Sequence, residues 1–373
     1  MGSFIRLADI SYQKSEVYGQ KRAPASSQTQ KLNRFACQRS RDLLKFMRMR
    51  LDELKKLHIS AFPGDEAYAE YFFRERFDAS HAFTLSADGK IVSAAYARII
   101  EAEIYGKVLE IPLLTGVATH PDYRYRGFAS RVIRDAETRL KEEGYPFVML
   151  HPFNADFYAA LGYAPINGIG RFCPKPYGPG GVAEALTPED WSETFSVYSE
   201  WASSSPAHVF RSASVQKEHI GMFLKYCGSG YLIRLNGSPV AYVLIENGKA
   251  VEAMFTRPDA FDGVTETLSL ALPLALSEEG GYSMAKLLNL KSLFRLLPMR
   301  GVDSDARFGL SGKTYQLIIN NGCFVSLTET SGKAYELTPA ELIRTALGHG
   351  KEYPLSPIGS LFPEYGLAVF EKY

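Results

Sequence analysis

The chain has 373 residues, 22% of them charged and 46% hydrophobic, with 42 Lys plus Arg against 41 Asp plus Glu. That length suits two or three domains at roughly 150 residues each, with apolar material for more than one core. The near-neutral balance argues against a dedicated nucleic-acid binder, which carries a basic stripe, and no apolar run approaches the ~18 residues of a membrane-spanning helix. The richest stretch, Leu268 to Leu276, is short and broken by Pro273. Cys37, Cys173, Cys227 and Cys323 lie far apart, with no CxxC pair and no metal-ligand spacing. Free thiols in a reducing cytoplasm are the expectation, and no metal site. Most of the aromatic residues, 13% of the chain, are expected in the core.

Residues 1–46 stand apart. They show little periodicity, more basic than acidic residues, and a Ser/Gln/Ala-rich centre from Ala23 to Gln30. An organellar transit peptide shares that Arg-rich, Ser-rich, acid-poor character, while the apolar core of a secretory signal is missing. The expectation is a disordered extension or a start read too early, with Met47 or Met49 as the natural beginning.

Apolar residues at 51, 54, 57, 61 and 62 predict a helix over Leu51–Phe62, stopped by Pro63-Gly64. Glu66 to Phe77 reads as a second, aromatic-rich helix. Strands follow at 82–85, 91–100 and 108–117, separated by turns at Asp88-Gly89-Lys90 and Tyr105-Gly106-Lys107. A basic loop then leads into a helix from Phe128 to Glu143, apolar at 129, 132, 133, 136 and 140, with Gly144 as its C-cap. A short buried strand is predicted at Phe147–Leu150.

Beyond the Pro/Gly-rich linker from Pro174 to Gly181, Thr187-Pro188-Glu189-Asp190 caps a helix running to about Ala202. Asn236-Gly237 joins strands 231–235 and 240–246 and is the strongest hairpin signal in the chain. A strand over 250–255 and a helix near 264–276 follow. This segment repeats the helix, antiparallel strands, helix order of the first without its basic loop, as a duplicated fold with one inactive copy would. The pattern breaks again at Glu278 to Gly281. The last segment is predicted to hold a helix over 284–297 and strands over 314–320 and 322–328. A helix with a capping box at Thr338-Pro339-Ala340-Glu341 follows, running to Leu347.

The chemistry concentrates between Val117 and Tyr163. The run Val117-Ala118-Thr119-His120-Pro121-Asp122-Tyr123-Arg124-Tyr125-Arg126-Gly127-Phe128-Ala129-Ser130 goes from strand end through a short loop to a helix start. Loop N–H groups and the helix dipole make such a junction an anion site. Gly127 permits close backbone approach, Ala129 keeps the first turn small, and Arg124 and Arg126 add charge-assisted contacts. It is not a Walker loop, for no Gly-Lys-Ser/Thr follows. Nor is it a Rossmann fingerprint, since one glycine is present and the preceding strands read as antiparallel.

After the strand at 147–150 come Asn154 and Phe157-Tyr158-Ala159-Ala160-Leu161-Gly162-Tyr163. Together the two motifs resemble the GNAT superfamily of acyl-CoA-dependent N-acetyltransferases. There, Arg/Gln-x-x-Gly-x-Gly/Ala holds the CoA pyrophosphate, and an Asn, a Tyr and a Gly-aromatic pair after the next strand form the other wall. The resemblance narrows to the enhanced intracellular survival (Eis-like) family, on Val117 through Gly127, Phe157 to Tyr163, Met284 to Leu288 and an aromatic final residue. It covers about residues 47–373. It implies an α+β fold of tandem GNAT-like domains with mixed, mostly antiparallel sheets. A catalytic GNAT domain would span 47–173, a second GNAT-like domain without the phosphate loop 182–280, and a sterol-carrier-like α/β domain 281–373.

By that resemblance Tyr158 is the general acid and the α-carboxylate of Tyr373 the general base. Acetyl-CoA is held by Val117, Ala118, Thr119, Arg124, Tyr125, Arg126, Gly127, Phe128, Ala129, Ser130, Phe153 and Asn154. The N–H groups of Val117 to Thr119 are the candidate donors to an oxyanion. Two departures stand out: familiar members of the family end in Phe, and Tyr125 occupies a position where Arg is frequent. The function implied is transfer of acetyl to a primary amine of a cationic acceptor, an aminoglycoside-like polyamine or a lysine side chain, by a cytoplasmic homo-oligomer, hexameric in the family. Glu110, His120 and His151 are weaker candidates near the site, and Asp65, Glu66 and Glu70 could line an amine-binding cleft. A different class stays open: a non-catalytic protein binding CoA and a lipid or peptide through the sterol-carrier-like domain.

Overall fold

The computed structural model describes residues 50–64, 66–166, 171–172, 178, 181–257, 259–264, 274–275 and 283–364. Helix α1 spans 50–61. Then come α2 (Glu66–Tyr71) with a π-helical turn at Phe72–Arg76, and strands β1 (Ala82–Ala87), β2 (Lys90–Ile104) and β3 (Lys107–Thr119). Next are α3 (Phe128–Glu142), β4 (Phe147–Leu150), α4 (Ala155–Ala159), β5 (Ala164–Pro165) and β6 (Arg171–Phe172). They are followed by β7 (Val182–Ala185), α5 (Trp191–Ser204), β8 (Ala207–Val209) and α6 (Ala213–Tyr226). Strands β9 (Ser229–Leu235), β10 (Ser238–Glu246), β11 (Lys249–Phe255), β12 (Leu274–Ala275) and β13 (Met284–Leu287) precede α7 (Leu290–Leu296). The described chain closes with β14 (Ser304–Leu310), β15 (Lys313–Asn320), β16 (Cys323–Thr330), β17 (Tyr335–Leu337) and α8 (Pro339–Arg344).

Three meanders of three strands recur: β1-β2-β3, β9-β10-β11 and β14-β15-β16. Each has two residues at every turn: Asp88-Gly89, Tyr105-Gly106, Asn236-Gly237, Asn247-Gly248, Ser311-Gly312 and Asn321-Gly322, all with positive φ at both residues. These are type I′ turns, whose twist matches that of the strands they join. The second position is glycine throughout because it pays no Cβ penalty there.

The described chain divides into two compact units, one of residues up to Tyr96 with Gly116–Ile133, the other of Ala97–Thr115 with residues from Arg134 onward. In the first, α1, α2, β1 and the start of β2 bury Leu54, Leu57, Phe72, Phe73 and Tyr96 in one cluster. β1 pairs antiparallel with β2 from Ala82↔Tyr96 to Ala87↔Lys90. The Glu53 carboxylate accepts the Ile91 N–H at 2.6 Å, tying α1 to the sheet.

In the second unit β3 runs parallel to β4, with Leu113↔Met149 and Leu114↔Leu150. β13 lies antiparallel to β4, Met284↔Leu150 to Leu287↔Phe147, and β5 follows β13. β8 adds to the far end of β2 through Ala102↔Val209. The predicted helix over 284–297 is therefore half strand. Met284 and Ala285 are buried in this sheet, and Asn289 caps a helix only from Leu290 onward, accepting the Ser292 N–H. Four apolar residues in five at 284–288 suit either state, and pairing with β4 decides between them. One continuous core joins this sheet to the sheet β16-β15-β14-β17, from Ile100 and Phe147 through Phe294 and Phe308 to Phe362.

A separate sheet, β11-β10-β9-β7, carries α5 and α6. The expected helix start at Thr187 to Asp190 is built as a capping box between Thr187 and Asp190. Helix α6, strand β8 and strand β14 have no counterpart in the expected elements. The linker residues 174–177, 179 and 180 and residues 265–273 of the predicted helix lie outside the described residues, while 274–275 form a strand paired with 171–172. The apolar period of α6 is masked because its buried stripe holds Gln216 and His219 beside Ile220 and Phe223.

Those polar residues belong to a sealed network. The Glu252 carboxylate on β11 accepts both terminal nitrogens of Arg211, at 2.8 and 2.9 Å. It also accepts the Tyr242 hydroxyl at 2.6 Å and His219 Nε2 at 3.1 Å. Gln216 accepts from Arg211 and donates to Thr194 on α5, and the guanidinium lies 4.6 Å from the Tyr198 ring centroid. Burial by itself would raise the Glu252 carboxyl, but Arg211 and His219 hold it far below the usual carboxylate range. Its contribution is thus in place above the unfolded-chain pKa of about 4.3 and is lost as pH falls. Glu252→Gln removes the carboxylate charge that faces the buried Arg211 and His219. It is expected to cost about 3–5 kcal/mol at pH 7, with a smaller deficit at pH 4, as measured by urea unfolding.

Candidate functional site

The first group of candidate residues lies within the first unit. β3 ends through Gly116, whose φ is +58° and where a Cβ would stand 2.7 Å from Tyr96 Cδ2. Only glycine fits that bend. The buried Ser93 of β2 then clamps the strand end: its hydroxyl donates to the Ala118 carbonyl at 3.0 Å and lies 3.0 Å from Thr119 Oγ1. The His120 N–H donates to the Val92 carbonyl. Ser93 carries no motif and was invisible in the sequence. Val117 and Thr119 are half-buried and Ala118 is buried.

The loop turns twice through left-handed backbone, at Tyr125 (φ 62°) and Gly127 (φ 77°). Tyr125, which replaces the frequent Arg, is fully exposed; its backbone conformation shapes the turn. Arg131 N–H donates to the Gly127 carbonyl, opening the α3 ladder. The amides of Phe128, Ala129 and Ser130 thus belong to the unpaired first turn of the helix. Arg124, though exposed, is engaged at the loop's flank, donating to the carbonyls of Ala61 on α1 at 3.2 Å and Thr119 at 3.4 Å. Arg126 lies over the Tyr123 ring, 5.3 Å from its centroid. The loop therefore combines first-turn amides, a close-approach glycine and two exposed arginines, one of them already bonded to backbone carbonyls, a constellation suited to a pyrophosphate. Of the two arginines expected to hold phosphate, Arg124 is engaged as a loop brace and Arg126 is the one presented outward.

The second group lies within the second unit. Asn154 caps α4, its Oδ1 accepting the Phe157 N–H at 3.0 Å. The helix stops after Ala159, where Gly162 takes φ 91°. Tyr163 N–H returns to the Tyr158 carbonyl at 3.1 Å and Gly162 N–H to that of Ala159 at 2.9 Å. This pair of bonds is a Schellman motif. Its accompanying apolar contact is the Tyr158–Tyr163 ring pair, edge to face at 5.8 Å. The Tyr-x-x-x-Gly-aromatic spacing is thus a helix-stop geometry that fixes one tyrosine against another. Tyr158 is 3% exposed, walled also by Phe157 and Phe153, and burial pushes its hydroxyl up to about 12. Phe153 itself is 83% exposed. Behind Tyr163, Lys286 of β13 pairs with Glu137 of α3 at 2.6 Å and lies 5.6 Å from the Tyr163 centroid.

The weaker candidates have ordinary structural partners. Glu110 is exposed on β3. His120 Nδ1 accepts the Asp122 N–H at 3.3 Å, and His151 Nδ1 lies 3.0 Å from the Ser283 hydroxyl. Glu66 is exposed, and Glu70 forms an ion pair with Lys55. Asp65 and Tyr373 lie outside the described residues. Among the described residues no cluster of His, Cys, Asp or Glu could hold a metal ion, and no helix is long and apolar enough to cross a membrane.

The helix-stop geometry is testable. Gly162→Ala forces a Cβ into left-handed backbone while meeting nothing closer than Lys286 Cε at 3.6 Å. The expected penalty is therefore backbone strain, about 1–2 kcal/mol. Asn154→Ala removes the cap of α4, for about 0.5–2 kcal/mol. Thermal unfolding of both variants measures the loss.

Residues 47–166 match the model of an acetyltransferase (GNAT) domain. No curated protein matches the sequence. Among solved structures, a conserved Enterococcus faecalis protein described as a probable N-acyltransferase shares 16% identity and a TM-score of 0.65, covering 87% of this chain and 97% of its own. A GCN5-related N-acetyltransferase from Kribbella flavida shares 15% identity and a TM-score of 0.62, over 87% of this chain and 96% of its own. Eis1 from Mycobacterium abscessus shares 12% identity and a TM-score of 0.60, over 87% and 98%. At such identities the likeness is one of fold. The stretch that the acetyltransferase (GNAT) domain model matches, residues 47–166, is the part of the chain that holds both groups of candidate residues.

Proposed function

We propose that the protein is an acetyl-CoA-dependent N-acetyltransferase that acylates a primary amine of a cationic acceptor, an aminoglycoside-like polyamine or a lysine side chain. The observation that carries this reading is the strand–loop–helix junction at 117–130, with its left-handed turns at Tyr125 and Gly127 and outward Arg126. The finer kinship, to the Eis-like family with a second GNAT-like domain and a sterol-carrier-like C-terminal domain, belongs to the same proposal. It draws support from the meander repeated across the chain and from the shared fold of the Mycobacterium abscessus protein.

Acetyl-CoA, when bound, supplies an activated thioester carbonyl. The chain's part is to hold it and to manage protons. Arg126 and the first-turn amides of α3 hold the pyrophosphate. Asn154 has its Oδ1 committed to the cap, so its amide NH2 is the group left to face the cosubstrate. The acceptor nitrogen forms the new C–N bond as the C–S bond breaks, and the departing sulfur takes the Tyr158 proton. Burial keeps that hydroxyl protonated throughout the neutral range, so it enters each cycle as a donor. The amine proton passes to the Tyr373 carboxylate, directly or through water. A free carboxyl of pKa about 3.5 is a weak base unless desolvated. Proton return through solvent from the carboxylate to Tyr158 closes the cycle.

The test is release of thiol from acetyl-CoA with a panel of amines that includes polyamines, aminoglycosides and lysine peptides. Tyr158→Phe keeps the ring contacts and is expected to lower kcat by about 10² to 10⁴ with little change in the KM for acetyl-CoA. No turnover with any amine would favour the binding-protein alternative.

The role of Tyr373 makes a separate demand. A few residues added after it convert its carboxylate into an amide, so a C-terminally extended protein is expected to lose about 10²-fold or more in kcat while still binding CoA. An N-terminal extension should be silent. Full activity of the C-terminally extended protein would remove Tyr373 from the mechanism.

A further inference from the structure

The Tyr123 side chain is not among the residues assigned to the cosubstrate, yet three features of the loop meet on it. Its ring lies beneath the Arg126 guanidinium, 5.3 Å from carbon to centroid. Its edge meets Phe128, the first residue of α3, with centroids 5.9 Å apart, and the His120 ring at the same distance. Its hydroxyl donates to the Asp88 carboxylate at 3.1 Å, and Asp88 occupies the first position of the tight turn between β1 and β2. All of these groups lie within the first unit.

We propose that Tyr123 is a positioning residue for the pyrophosphate: its ring is the platform that orients Arg126, and its hydroxyl, held by Asp88, moors the loop to the β1–β2 turn. The inference rests on the acetyl-CoA reading above. Stacking engages the face of a guanidinium and leaves its in-plane N–H donors directed outward, where a phosphate can accept them. An unsupported arginine loses side-chain entropy when a ligand orders it, and a platform reduces that cost. The hydroxyl matters for a second reason. Among the described residues Arg126 forms no ion pair, and the Asp88 carboxylate accepts the Tyr123 hydroxyl. Tyr123 takes that carboxylate as its own acceptor, so the mooring is made without giving Arg126 an anion that a phosphate would have to displace. The Asp88 contact also raises the Tyr123 hydroxyl above its ordinary pKa, which keeps it a donor.

The experiment is CoA binding by titration calorimetry, with unfolding temperature followed for every variant. Wild type, Arg126→Ala, Tyr123→Leu and the double variant form one cycle. Tyr123→Phe, Asp88→Ala and their double variant form another. Tyr123→Leu should weaken CoA about five- to tenfold in the presence of Arg126 and have no further effect in its absence, because a platform without its arginine does nothing. Tyr123→Phe keeps the platform and loses the mooring. It should weaken CoA about two- to fivefold, Asp88→Ala should match it, and the two should not add. Asp88→Asn retains an acceptor and should restore binding. In turnover each effect should appear in the KM for acetyl-CoA with kcat preserved. Equal losses for Tyr123→Leu with and without Arg126, or no loss at all, would overturn the platform while leaving the CoA site intact. A wild-type protein that does not bind CoA would instead overturn the acetyl-CoA reading, and this inference with it.

Discussion

Two parallel neighbours in a sheet cannot be joined by a tight turn, and the candidate site grows out of that constraint. Leu113 and Leu114 lie beside Met149 and Leu150 in parallel register. The chain must therefore leave the carboxyl end of β3 and return to the amino end of β4. Residues 120–146 make the crossing, first as a loop and then as α3, which is anchored by the buried residues Val132, Ile133, Ala136 and Leu140. Elsewhere the meander strands join through two-residue turns ending in glycine, too short to present anything to a ligand. The crossover is where a run of backbone amides and a helix N-terminus follow a strand end, the arrangement in which anions bind in α/β folds.

Two arginines show how differently one residue type is used. Arg211 is sealed, with a bidentate carboxylate, an amide and an aromatic face around it. Its bonds to Glu252 and Gln216 hold a helix to a sheet, and removing the carboxylate would take away a charge that the buried guanidinium relies on. Arg126 is exposed and rests on a ring whose own hydrogen bond points elsewhere. Its donors are available, and its electrostatic energy is realised only when an anion arrives. Completing the first network produces stability. Leaving the second incomplete is what the proposed pyrophosphate site requires.

Aromatic side chains do much of the positioning throughout. Tyr158 is held by a helix stop that needs Gly162 in left-handed backbone and is finished by a second ring, Tyr163. Tyr123 supports Arg126. Phe72, Phe73 and Tyr96 pack against one another in the first unit, with centroids 5.2 to 5.7 Å apart. Tyr96 also crowds the bend at Gly116 so closely that no side chain fits there. Rings suit this work because they are large, lose little rotamer freedom on ordering, and can carry a polar group at one edge.

Much was legible in the order of residues because it rests on local physics. X-Gly pairs between alternating runs mark tight turns, the 3.6-residue period marks α3, and Thr-Pro-x-Glu and Thr-Pro-x-Asp mark helix starts. The Asn…Tyr…Gly-Tyr spacing of a capped and stopped helix is likewise encoded over ten residues. Three kinds of feature were not legible. Met284–Leu287 is a strand because β4, more than a hundred residues earlier, offers an open edge. Helix α6 hides its period because its buried face carries Gln216 and His219, whose partners lie on other elements. The third kind is the division of labour among like residues. Arg124 braces the loop and Arg126 faces out, Ser93 clamps the strand end, and Tyr123 reaches Asp88 across 35 positions. Local propensity and turn chemistry act over a few residues and can be read from sequence. The partners that turn a motif into a site are chosen by long-range packing, which only the folded chain brings together.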